Sequence, residues 1–75
     1  MTLNELAKVL NEMYYNAPKG EAVSMIHLFG IKYAEEIEKL DIPKKCIIEQ
    51  SKLPSSYLTE LMKGIKLSKH VKPKI

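Results

Sequence analysis

Leu3, Leu6, Ala7, Leu10, Met13, Tyr14 and Ala17 recur at i, i+3, i+4, i+7, i+10, i+11 and i+14. That spacing lays one apolar stripe along a helix, with Glu5, Lys8, Asn11 and Glu12 off it. Thr2-Leu3-Asn4-Glu5 supplies a capping box at its start, and Pro18 and Gly20 predict its end near Asn16. Helical spacing resumes over residues 21–40 through Val23, Ile26, Gly30, Tyr33, Ala34, Ile37 and Leu40. Gly30 there marks either a break into two helices or a point where another helix crosses closely. Asp41-Ile42-Pro43 ends this segment and opens the next, with Pro43 in the first-turn position it tolerates. Two short helices are predicted over about residues 44–51 and 55–63, joined by Lys52-Leu53-Pro54, with Gly64 as a C′ stop. Residues 65–75 alternate only loosely and suit a short strand, a wing or a linker. The pattern predicts an all-α, compact four- or five-helix single domain over residues 1–75, in which 66–75 form a tail, wing or linker.

A chain of 75 residues buries only roughly 60% of its unfolded surface, so one core is all it can support. Its 45% apolar content is that of a folded protein, not a disordered tail. The longest apolar-rich stretch, residues 23–31, is interrupted by Ser24 and His27 and is too short to span a bilayer. No basic segment and apolar run follow Met1, so no secretory signal is predicted. A lone cysteine, Cys46, cannot form an internal disulfide and fits a reducing cytoplasm. His27, His70 and Cys46 have no ligand spacing, so neither a metal nor a cofactor is predicted.

Charge is divided unevenly along the chain. Residues 1–41 hold four lysines against seven carboxylates, a net −3, whereas residues 42–75 hold eight lysines against two, a net +6. Two explanations fit this split: the second half faces a polyanion, or its lysines simply solubilise it. All twelve basic residues are lysine. Without arginine the commonest base-specific contact, a bidentate grip on guanine, falls to lysine, a weaker substitute because it is a point charge.

The most informative stretch is residues 47–64, Ile-Ile-Glu-Gln-Ser-Lys-Leu-Pro-Ser-Ser-Tyr-Leu-Thr-Glu-Leu-Met-Lys-Gly. A short helix, a turn ending in Leu53 and a second helix opened by Pro-Ser-Ser resemble the helix-turn-helix of Cro and phage-repressor-type regulators. In such a pair Leu53, Leu58 and Leu61 hold the second helix, whose free face suits the major groove. The resemblance implies that Ser55, Ser56, Tyr57 and Glu60 face the groove, while Lys44, Lys45, Lys63 and Lys66 reach backbone phosphates. Two positions depart from the pattern: Ile48 stands where the first helix usually carries alanine, and Lys52 where the turn usually carries glycine. Either the helices cross more widely than usual or the turn differs.

Asn16-Ala17-Pro18-Lys19-Gly20-Glu21 and the run from Val23 to Ala34 carry a second resemblance. They are similar to a small helix-turn-helix-like module ahead of the nuclease part in some McrA-type HNH restriction endonucleases. That likeness implies an accessory domain that contacts DNA or guides a nuclease, in a restriction or phage-defence setting. The nuclease is not implied, because no His-Asn-His constellation exists here. Catalysis finds no other footing: Cys46 lies among apolar neighbours, and Glu35, Glu36 and Glu38 spread around a helix. His27 is expected to be a hydrogen-bonded core or boundary residue, Phe29 and Tyr33 core, and Tyr15 a ring beside the apolar stripe.

The expectation is therefore a non-enzymatic, phosphate-led binder of duplex DNA with modest sequence preference, without membrane association. A fused nuclease or homodimerisation is compatible with it. The competing reading is a protein-interaction module, such as a small phage-type inhibitor or adaptor, using the same fold. It draws on the missing arginines, Glu60 on the second helix and the acidic first half.

Overall fold

Thr2 and Glu5 close the expected capping box: the Glu5 amide donates to Thr2 Oγ1 (3.1 Å) and the Thr2 amide to Glu5 Oε1 (2.8 Å). A computed structural model of the chain describes residues 1–71. From this cap, α1 runs over Leu3–Tyr15 and ends at Asn16, as the sequence predicts. Gly20, at φ +83°, makes the connection to α2, Ala22–Lys39. Two shorter helices complete the order: α3, Lys45–Gln50, and α4, Leu58–Leu67, the latter entered through a 3₁₀ turn over Ser55–Tyr57. No strand occurs among the described residues, so the chain is a small all-α domain.

Leu6 and Leu10 of α1, Ile26, Phe29 and Ile37 of α2, Ile47 and Ile48 of α3 and Leu61 of α4 are almost wholly buried in one core. Each such side chain contributes about 1.5–3 kcal/mol when removed from water. No helix of the described residues is long and apolar enough to cross a membrane.

One open alternative is decided and two expectations are corrected. Gly30 does not break α2, whose non-helical residue is Tyr33 (φ −110°, ψ 15°). Gly30 is the close-crossing point: a Cβ there would lie 2.8 Å from the Ile65 backbone nitrogen. Gly64 is not a C′ stop but lies within α4, where a Cβ would lie 2.5 Å from the His27 carbonyl oxygen. The two glycines thus remove side chains from both sides of one crossing, and α4 packs chiefly on α2. Finally, Ile65–Leu67 continue α4 and residues 68–70 form a turn, so no wing or strand begins there. Residues 72–75 of the expected tail lie outside the described residues.

Candidate nucleic-acid interface

The turn between α3 and α4 accounts for one departure from the helix-turn-helix pattern and the helix crossing for the other. Lys52 adopts φ +64°, the left-handed conformation in which glycine would be free of strain. Around it the Lys52 amide donates to the Glu49 carbonyl (3.1 Å) and the Leu53 amide to the Ile48 carbonyl (3.2 Å). That pair of bonds is a Schellman closure, completed by the buried side chains of Ile48 and Leu53. The turn therefore keeps its left-handed geometry and Lys52 bears the strain. Ile48 is accommodated because the tight crossing lies between α2 and α4, not between α3 and α4.

Helix α1 braces this turn from the other side. Asn11 Nδ2 donates to the Ser51 carbonyl (2.9 Å), and Tyr15 Oη donates to the Lys52 carbonyl (2.9 Å). The exposed Tyr15 ring is thus tethered at its polar end. Ser51, the one buried polar residue among those described, bonds the Ile47 carbonyl through its hydroxyl.

Two of the predicted groove-facing residues are held by their own chain. Tyr57 is half-buried; Tyr14 Oη donates to its hydroxyl (3.2 Å) and the two ring centroids are 5.3 Å apart. Glu60 turns toward α2, where its Oε1 lies 2.7 Å from His27 Nε2 and its Oε2 lies 3.6 Å from Lys63 Nζ. The imidazole hydrogen bond, with Lys63 adding to it, holds the Glu60 carboxyl below the ordinary carboxylate range. His27 is accordingly the hydrogen-bonded boundary residue the sequence predicts.

The other predicted residues remain at the surface. Ser55 and Ser56 are exposed at the entry to α4, and Lys63 and Lys66 are exposed along it. Lys44 is half-buried beside Glu38 (3.5 Å), and Lys45 is exposed at the start of α3. Lys44, Lys63 and Lys66 line one groove between α4 and the α2–α3 corner, together with Glu38, Thr59, Met62, Ile65 and Lys69. Lys45 and the two serines are not among its lining residues.

Sequence reasoning missed Thr59, Met62 and Lys69. Thr59, Met62, Lys63 and Lys66 stand at i, i+3, i+4 and i+7, all exposed, opposite the buried Leu61, Gly64 and Ile65. The outward stripe is therefore Thr-Met-Lys-Lys, and Tyr57 and Glu60 lie off it. Glu60 lies off it by helix geometry alone, one residue or about 100° round from Thr59, and Tyr57 sits in the 3₁₀ turn that precedes α4. The signal available in the sequence was the complement of Leu58, Leu61 and Ile65, counted from the buried side.

A short helix, a left-handed Schellman turn and a longer helix with its basic stripe free define a helix-turn-helix-like module. Among the described residues no group of three or more histidine, cysteine, aspartate or glutamate side chains is arranged to hold a metal ion. The chain belongs to the HTH-like domain family, whose model matches residues 2–74. No curated protein and no solved structure matches it.

Proposed function

We propose that this protein binds duplex DNA by setting the outer face of α4 in the major groove, with affinity supplied mainly by phosphate contacts. The observation that carries this reading is the exposed stripe of Thr59, Met62, Lys63 and Lys66 on a helix held out by the braced turn. A major groove about 12 Å wide admits one such helix. Lys44 and Lys69 line the same groove as Lys63 and Lys66, so four lysines border the path a duplex backbone would take, Lys44 beside Glu38 and Lys63 beside Glu60. The role is one of recognition, not catalysis, and takes place in the cytoplasm. The likeness of residues 16–34 to the segment preceding McrA-type nucleases favours an accessory module of a restriction or defence protein, with a small regulator as the other setting.

The competing protein-interaction reading drew part of its support from an outward-facing Glu60. That carboxylate is taken by His27, and DNA is the partner the free stripe favours. Fluorescence anisotropy with a duplex across a salt series tests the proposal. Four phosphate contacts predict a slope of log K against log[salt] of about −3.6. No binding at low salt, or binding indifferent to salt, contradicts it.

A further inference from the structure

Resting on the DNA-binding reading above, one question is what the α4 stripe reads. Hydrogen-bonding readers of base edges are scarce on it. There is no arginine in the chain, Glu60 is held by His27, and Tyr57 is held by Tyr14. What the stripe does present between its serine entry and its lysines is a threonine methyl, at Thr59, and a flexible thioether, Met62, which is 45% exposed. Both line the groove that holds Lys44, Lys63, Lys66 and Lys69. In the major groove the C5-methyl of thymine is the apolar feature of the base edges, and a threonine methyl is a suitable partner for it. Methionine adapts its unbranched chain to an irregular apolar surface.

We infer that Thr59 and Met62 are the sequence-discriminating residues, and that they select A·T-containing duplex by burying thymine C5-methyl groups in the major groove. The lysines on either side supply affinity without reading sequence. Recognition is then a matter of methyl contact, not of hydrogen-bonded guanine readout.

The test compares alternating poly(dA-dT) with alternating poly(dA-dU), which differ by the C5-methyl, in anisotropy titrations of the whole chain at one salt concentration. Burying one methyl is worth about 0.8 kcal/mol, so the uracil polymer should bind about fourfold more weakly for one contact and about fifteenfold for two. The double variant Thr59→Ser, Met62→Ala should bind the two polymers equally while keeping the salt slope of the parent. Both side chains are exposed, so the variant leaves the core intact, and its helical circular dichroism should match the parent's. Equal affinity of the parent protein for the two polymers overturns this inference and leaves DNA binding standing. A methyl preference that survives in the double variant also overturns it. Absence of binding to either polymer at low salt overturns both this inference and the DNA-binding reading.

Discussion

Lys52 and Gly30 show how a single residue's backbone and Cβ decide local stability. Lys52 holds φ +64°, where a side chain costs roughly 1–2 kcal/mol, partly offset in any comparison by the greater unfolded freedom of glycine. Lys52→Gly should therefore raise unfolding stability by about 0.5–1 kcal/mol in urea titrations, despite removing a surface charge. Gly30 carries the opposite sign. In an exposed helix interior Gly→Ala stabilises by about 1 kcal/mol. Here the new Cβ meets Ile65 nitrogen at 2.8 Å and Gly64 carbonyl carbon at 2.9 Å, both backbone atoms that cannot rotate away. Gly30→Ala should instead destabilise by about 1–3 kcal/mol, read as a lowered urea midpoint. The unusual demand at position 52 was legible, since a lysine stood where a glycine was expected. The choice at Gly30 between break and crossing was not, because it depends on Gly64, thirty-four positions away.

Helix α4 is placed by contacts that its own sequence does not contain. His27 and Glu60 join α2 to α4 beside the glycine crossing, and Tyr14 and Tyr57 join α1 to the 3₁₀ entry. Because the Glu60 carboxyl is held below its ordinary value in the folded state, its contribution to stability is present above the unfolded-state value. That contribution is lost as pH falls through the lower, folded value. Glu60→Gln should thus be less stable than the parent near pH 6, with the difference closing below about pH 4, as followed by circular dichroism. The cap of α1, the end of α1 at Asn16 and the four-helix order could be read from local spacing and breakers. The partners that hold Tyr57 and Glu60, Tyr14 and His27, lie 43 and 33 residues distant and could not.

Across the whole molecule the uneven charge becomes a surface. Of the eight lysines in residues 42–75, four, Lys44, Lys63, Lys66 and Lys69, line one groove, with Glu38 as the acidic residue among its lining. Replacing Lys63 and Lys66 by alanine should lower the magnitude of the salt slope by about 2 while leaving stability nearly unchanged, because both side chains are exposed. The class of fold was legible because its helices are separated by strong breakers. The basic half was legible from simple counting. The outward stripe of α4 was legible as the complement of Leu58, Leu61 and Ile65, whereas the groove it forms with Lys44 depends on the packing of α4 on α2.

The most direct measurement is a chemical-shift map of the ¹⁵N-labelled protein titrated with a short duplex at low salt. The largest amide shifts are expected at Ser55, Ser56, Thr59, Lys63 and Lys66, and small ones along the acidic surface at Glu35 and Glu36. Shifts concentrated on α1 or on that acidic surface, with α4 unmoved, would contradict binding through α4.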